Sequence, residues 1–255
     1  MSTKPVILVT NDDGVFSPGI KHLVSIAKTF GDVIVVAPDK PQSGMGHAIT
    51  INSTLRLEKT NFHGAQTELA CSGTPVDCVK MAVNNILKKR PDLVLSGINH
   101  GSNSSINVIY SGTMSAAIEG ALEGAPSIGF SLCDYAMEAD FTAATKFIKQ
   151  LIDHALTKKM PKGVCYNVNI PKLREDDIKG IKFVRQAKAN WVERFDERKD
   201  PYGRSYYWLT GEFINFEPEA NDTDEWALAN GYISVVPTQA DLTAHAYLND
   251  IKKTF

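Results

Sequence analysis

The stretch Val6-Ile-Leu-Val-Thr10, running without a break into Asn11-Asp12-Asp13-Gly14, restricts this chain more than any other. A short apolar run reads as a buried strand, and two carboxylates followed by a glycine read as its carboxyl end opening into a loop. In open α/β sheets that edge is where ligands bind. Adjacent aspartates repel when both are ionised, so a fold that brings them near its core supplies a cation or keeps one protonated. A solvated Asx turn accounts for the same four residues equally well, and this stretch alone leaves both readings open. Downstream, Ser17-Pro18-Gly19 starts a segment with Ile20, Leu23, Val24 and Ala27 at helical spacing, ended by Gly31, and Val33–Ala37 is a second apolar run. Residues 6–37 therefore predict a βαβ unit with parallel strands, the opening of a Rossmann-like sheet.

With 255 residues, 43% hydrophobic and 22% charged, the chain is long enough for one large core and an appendage. The expected division is a Rossmann-like catalytic core over 1–185 and a hairpin with a C-terminal oligomerisation segment over 186–255, packed on it as one overall domain. A net charge of −2 argues against a nucleic-acid duplex or a membrane as partner, because both need clustered positive charge. Met1-Ser-Thr-Lys-Pro5 leads directly into the first strand with no signal-peptide pattern, and no apolar stretch reaches spanning length, so the expected location is cytoplasmic. Cys71, Cys78, Cys133 and Cys165 form no Cys-x-x-Cys pair and read as reduced, buried thiols.

The pattern of strand followed by polar loop recurs. The second strand ends in Pro38-Asp39-Lys40-Pro41-Gln42-Ser43-Gly44-Met45-Gly46-His47. Residues 48–70 alternate in polarity and turn at Asn61–Gly64, a hairpin-like excursion. Thr74-Pro75 opens a helix that Arg90-Pro91 ends. Strand Asp92–Ser96 leads to a third polar loop, Gly97-Ile-Asn99-His100-Gly101-Ser102-Asn103. Ser111-Gly112-Thr113 precedes the small-residue helix Met114–Leu122; its free N–H groups and hydroxyls suit a phosphate, and an ordinary helix cap explains them as well. Strand Ser127–Leu132, helix Phe141–Leu156 and strand Val164–Ile170 bring the count to at least five strands with intervening helices. Beyond Pro171 a charge-dense strand, the turn Pro201-Tyr-Gly203 and the aromatic run Tyr206-Tyr-Trp208 predict a long hairpin. Its aromatics bury either against a partner subunit or back on their own core. A short helix over Thr223–Asn230, a strand over Tyr232–Val236 and a terminal helix over Asp241–Ile251 complete the chain.

Three strand-end loops thus contribute Asp12, Asp13, Ser43 and Asn99, all oxygen donors. That set suits one hard divalent cation, Mg²⁺ or Mn²⁺, and disfavours zinc, since His47 and His100 recur at no zinc-ligand interval. Both histidines are candidates to contact substrate or act as an acid. A cation beside the Ser111, Gly112 and Thr113 cradle points to phosphomonoester hydrolysis by metal-activated water, with Asp12, Asp13 and Asn99 as the catalytic set. An aspartyl-phosphate route is the less favoured alternative, because carboxylates committed to a cation are poor nucleophiles.

Thr10-Asn-Asp-Asp-Gly14, Pro38–Gly44, Ser72-Gly-Thr-Pro75, Ser96-Gly-Ile-Asn99-x-Gly101-x-Asn103, Tyr110-Ser-Gly-Thr113, Asp200-Pro-x-Gly203, Tyr206-Tyr-Trp-x-x-Gly211 and Asp241-Leu-Thr-Ala-His245 together resemble the SurE family of metal-dependent nucleotide phosphatases. The resemblance covers essentially the whole chain, and the order of the motifs is far more specific than any one of them. It implies one divalent cation on Asp12, Asp13, Ser43 and Asn99, with Asn103 and the Ser111-Gly112-Thr113 turn near the phosphate. It further implies hydrolysis of nucleoside 5′-monophosphates, with 3′-monophosphates and short polyphosphate as further substrates, and a homodimer or homotetramer built by the hairpin and a swapped C-terminal segment. After Asn103 the chain reads Ser104-Ser-Ile-Asn107, where many relatives carry a glycine and acidic residues, which puts the substrate-side loop in question. A non-catalytic nucleotide-binding stress sensor using the same pocket is the alternative from another class. A dinucleotide-dependent oxidoreductase fits poorly, since the first loop lacks Gly-x-Gly-x-x-Gly, as does a haloacid-dehalogenase-type phosphatase, whose Asp-x-Asp pair is absent.

Overall fold

Apolar, β-branched runs bounded by glycine and proline form the strands of a nine-stranded mixed sheet. The structure is a computed structural model and describes residues 4–136 and 138–254; the opening Met1–Thr3 and the final residue of the C-terminal segment lie outside the described residues. The strands are β1 (Val6–Thr10), β2 (Asp32–Pro38), β3 (Leu57–Lys59), β4 (Thr67–Cys71), β5 (Leu93–His100), β6 (Ser127–Leu132), β7 (Val164–Ile170), β8 (Ile181–Phe183) and, after a separate hairpin of β9 (Ala189–Lys199) and β10 (Ser205–Asn215), β11 (Ile233–Gln239). Their order is β3-β4-β2-β1-β5-β6-β7-β11-β8. Pairing is parallel from β4 through β7, and antiparallel at β3–β4 and at β7–β11.

The chain winds outward from β1 through β2 and β4, then returns to place β5 on the other side of β1. The order therefore reverses between β1 and β5, the point at which an open α/β sheet forms a crevice at its carboxyl edge. Helices cover both faces. Helices α1 (Pro18–Ala27) and α4 (Thr145–Thr157) pack on one face over Ile7, Val9, Val35, Leu95 and Phe130, and α2 (Pro75–Met81) and α3 (Gly112–Leu122) cover the other over Leu8, Val36 and Val94. The alternation of Ile7, Leu8 and Val9 between the two cores is the period-two signature of a strand buried on both sides.

Among the differences from the expected elements, three stand out. The helix opened by Thr74-Pro75 changes to a π-type turn over Ala82–Leu87 and ends at Lys88, which has a left-handed φ of 52°. Strand β5 continues past Ser96 to His100, with its register on β6 shifted between Ser96 and Asn99; such a bulge re-aims the residues that follow it. The terminal helix α6 (His245–Ile251) starts four residues later than expected, because the Asp241 carboxylate accepts hydrogen bonds from the Thr243 N–H at 2.9 Å and His245 Nε2 at 2.6 Å and so holds a turn there.

The charge-dense and aromatic strands pair in register from Ala189↔Asn215 to Lys199↔Ser205. Nearly every residue of this hairpin is exposed, so its aromatics do not fold back onto the chain's own core. Helix α5 (Asp224–Ala229) follows it and packs beside β11. Among the described residues, no helix is long and apolar enough to cross a membrane.

Candidate active site

The acidic loop after β1 is shaped by its neighbour Asn11, whose Nδ2 donates to the Gly14 carbonyl at 2.9 Å and to Ser17 Oγ at 2.8 Å. Asn11 is thus spent on the turn, and Asp12 and Asp13 are left facing the crevice. They line a cleft of about 210 Å³ with Ser43, Asn99, His100, Asn103, Ser111 and Tyr135. Sequence-distant loops are tied together around it: Gln42 N–H donates to the Asp12 carbonyl at 2.8 Å, and Gly46 N–H to the Tyr110 carbonyl at 3.2 Å.

Asp12 is only 5% exposed. Burial pushes its carboxyl up to about 6, against the hydrogen bond from the Thr113 hydroxyl and with help from the Asp13 charge. Burial also raises Asp13, opposed by the His100 N–H that donates to it at 3.3 Å. Among the described ion pairs, none involves Asp12 or Asp13. Two neighbouring carboxylates with no lysine or arginine paired to them among the described residues are what a bound cation compensates. Asn99 fits the same set: its Nδ2 donates to the Gly101 carbonyl at 3.0 Å, which leaves Oδ1 as an acceptor for a cation. The residues present therefore suit a hard, oxygen-liganded divalent cation.

The predicted cradle divides. Ser111 lines the cleft and caps α3, its Oγ accepting from the Met114 N–H at 3.0 Å. Thr113 is fully buried and its hydroxyl donates to Asp12 Oδ1. Gly112 packs directly behind that carboxylate, where an added Cβ would come within 2.7 Å of Asp12 Cβ. Ser111 thus stands beside the cleft, while Gly112 and Thr113 support Asp12 from behind and do not line it.

Asn103 is held from several sides. Its N–H donates to Asn169 Oδ1 and its Nδ2 to Ser131 Oγ, both at 2.8 Å, and its carbonyl accepts from Asn167 Nδ2 at 2.8 Å. Asn167 and Asn169 were not singled out in the sequence, although two asparagines at i and i+2 in the otherwise apolar run Val164–Ile170 signal a buried polar network. The loop beyond is anchored likewise. Ser105 N–H donates to Asp224 Oδ2 at 2.7 Å and Ala187 N–H to Asp224 Oδ1 at 2.9 Å, while Ser105 Oγ donates to the Ala187 and Ala189 carbonyls at 2.9 and 3.1 Å. His100 lies on the cleft wall, and His47 instead bonds Glu119 of α3 at 2.9 Å.

Fold and site together define a doubly wound α/β protein with an acidic cleft rich in oxygen donors at the switch point of its sheet. The chain belongs to the SurE family, whose model, described as survival protein SurE, matches residues 7–193. Proteins named 5′-nucleotidase SurE from Flavobacterium psychrophilum and Flavobacterium johnsoniae are 63% and 64% identical to it, covering 95% of this chain and 95% and 93% of theirs. The crystal structure of the SurE protein from Aquifex aeolicus superposes with a TM-score of 0.85 at 42% identity, covering 98% of this chain and 99% of that one.

Proposed function

We propose that the chain is a divalent-cation-dependent phosphomonoesterase that hydrolyses nucleoside 5′-monophosphates to nucleoside and phosphate, with 3′-monophosphates and short polyphosphate as further substrates. The observation that carries the reading is the unpaired Asp12–Asp13 couple facing Ser43 and Asn99 in one cleft. The name 5′-nucleotidase SurE shared by relatives of near-full-length coverage supports it from the side of substrate.

In this reading one Mg²⁺ or Mn²⁺ per subunit is held by Asp12, Asp13, Ser43 and Asn99. A bound divalent cation supplies charge neutralisation at the phosphoryl group and a lowered pKa for water at the site. The protein does the positioning. Thr113 fixes the rotamer of Asp12, Asn11 shapes the acidic turn, and the Gly101 carbonyl orients the Asn99 amide. Asn103 and Ser111 stand on the cleft wall where a phosphate beside the cation would lie. The exposed hairpin and C-terminal segment serve a homodimer or homotetramer, and the protein works in the cytoplasm.

Phosphate release is measured over a panel of nucleoside 5′- and 3′-monophosphates and short polyphosphate, with Mg²⁺, with Mn²⁺ and after EDTA. The expected result is fastest release from 5′-monophosphates, lost on chelation and restored by excess cation. Release that survives EDTA overturns the cation dependence. Tight nucleotide binding with no release under any divalent ion replaces the enzyme with a sensor.

A further inference from the structure

The 210 Å³ cleft is smaller than the roughly 300–1,000 Å³ of a typical small-molecule site, and most of its lining residues are polar. It has room for a phosphate and a cation, and leaves the rest of a nucleotide outside. Beside it lies a second hollow of about 660 Å³, lined by Gly44, Asn107, Tyr110, Trp191, Leu209 and Gly211 among others. Gly44, Asn107 and Tyr110 line both spaces, so the two are contiguous. We propose that this hollow, at the root of the β9–β10 hairpin, receives the nucleobase of the substrate, with Trp191 as the stacking surface and Asn107 as the polar contact to the base edge; the inference rests on the phosphomonoesterase reading above.

Three observations lead there. The register of the hairpin pairs Trp191 with Phe213 and Phe195 with Leu209, and the two-residue repeat puts all four on one face. Trp191 and Leu209 from that face meet Tyr110 from the cleft loop, and the three are 40%, 59% and 53% exposed. A neutral aromatic ring is the complement of such a surface. Second, the charge on the lining is that of Glu193, which repels a phosphate and so favours the orientation with phosphate in the cleft and base in the hollow.

The third observation concerns Asn107. Trp191 Nε1–H donates to Asn107 Oδ1 at 2.8 Å. An indole nitrogen only donates, so this contact fixes which end of the amide faces the tryptophan. The Nδ2 group has no partner among the described hydrogen bonds and is available as a donor. The Ser105–Asp224–Ala187 bonds hold the loop that carries Asn107 and Tyr110 against the hairpin root, so the two walls of the hollow form one preorganised unit.

The test compares two phosphomonoesters of the same sugar, adenosine 5′-monophosphate and ribose 5-phosphate, in the wild type, Trp191→Leu and Asn107→Ala, with sedimentation velocity on each. In Trp191→Leu the KM for adenosine 5′-monophosphate rises about tenfold or more, within the range for loss of a base–aromatic stack, while kcat/KM for ribose 5-phosphate stays within about twofold. Asn107→Ala gives a smaller rise confined to the nucleotide. An equal loss on both substrates, accompanied by altered assembly, makes the hollow an interface between copies and overturns the proposal; so does no loss on either. Absence of phosphate release by the wild type defeats the enzyme reading alone. Calorimetric binding of adenosine, weakened in Trp191→Leu or not, then decides the base site independently.

Discussion

The strand-end cleft and the β9–β10 hairpin break the inside–outside rule in opposite directions. In the cleft, polar groups are buried: Asn11, Asp12, Asn103, Asn167 and Asn169 are each at most 7% exposed. In the hairpin, apolar groups are in the open, with Phe195 at 69% and Trp208 at 58% exposure. Each inversion costs free energy in the isolated chain, by desolvation in one case and by hydration of apolar surface in the other. The cleft asparagines are satisfied inside the chain by hydrogen bonds to one another and to neighbouring loops. The cleft carboxylates, in contrast, have no lysine or arginine paired to them among the described residues, and the hairpin aromatics stay exposed; the proposed cation and the proposed second copy would meet them. The contrast teaches that a departure from ordinary burial indicates the chemistry of the group that would answer it as well as its place.

The sharpest way to break the comparison is to remove one carboxylate. Asp13→Asn keeps the shape of the side chain and removes its charge and cation affinity. Groups that merely orient a metal ligand cost about 10–100-fold in affinity or activity when lost, so loss of Asp13, a ligand in the proposed reading, is expected to lower nucleotide hydrolysis by more than about 100-fold. Circular dichroism is unchanged and thermal stability of the cation-free protein is equal or higher, because a half-buried carboxylate whose pKa burial has raised is relieved. Near-normal rates in this variant remove the cation from Asp13.

Much of the cleft was legible because it is local. Val6–Thr10 followed by Asn-Asp-Asp-Gly, and the equivalent strand-to-loop transitions at Ser43 and Asn99, place donors at the sheet's carboxyl edge with no knowledge of tertiary contacts. The division of Ser111-Gly112-Thr113 was not legible, since the bond from Thr113 to Asp12 spans 101 residues and nothing near Thr113 in the chain announces it. The same holds for β8, three residues long and paired only with β11, whose partner lies some fifty positions on. The hairpin was legible from Pro201-Tyr-Gly203 and its flanking aromatics. Its projection away from the core required the structure, because alternation states that a face is apolar and leaves open what covers it.

A milder test concerns the buried polar groups that are already paired. Glu119 on α3 is 3% exposed and bonds both Lys80 and His47, linking α2 and the Ser43 loop to one carboxylate. Burial alone would raise that carboxyl, but the hydrogen bonds from His47 and Lys80, with the charge of Lys80, outweigh it and hold it below the usual 4.5. A carboxylate depressed on folding stabilises the protein above its unfolded pKa, and that contribution is lost as pH falls through the lower folded value. Glu119→Gln therefore destabilises by about 1.5–3 kcal/mol near neutral pH, the scale of hydrogen bonds to charged groups. In denaturant titrations the gap to the wild type closes below about pH 4.5. A gap that persists unchanged into acid assigns the loss to packing instead of charge.

The smallest effect on the fold is expected at the hairpin tip, and it sharpens the comparison most. Trp208 faces Asp196 across the strands, on the side opposite Trp191, so changing it leaves the aromatic hollow intact. At dilutions where the protein is monomeric, Trp208→Ser changes unfolding free energy by no more than about 0.5 kcal/mol, as for surface positions without partners. At higher concentration the same substitution is expected to weaken the proposed self-association. A ring that buries on the order of 100 Å² contributes roughly 2–3 kcal/mol, or about 30- to 150-fold in the dimer dissociation constant by sedimentation equilibrium. A variant that loses stability as a monomer has its tryptophan packed on its own chain. One that assembles normally leaves the exposed aromatic face to some surface other than a second copy.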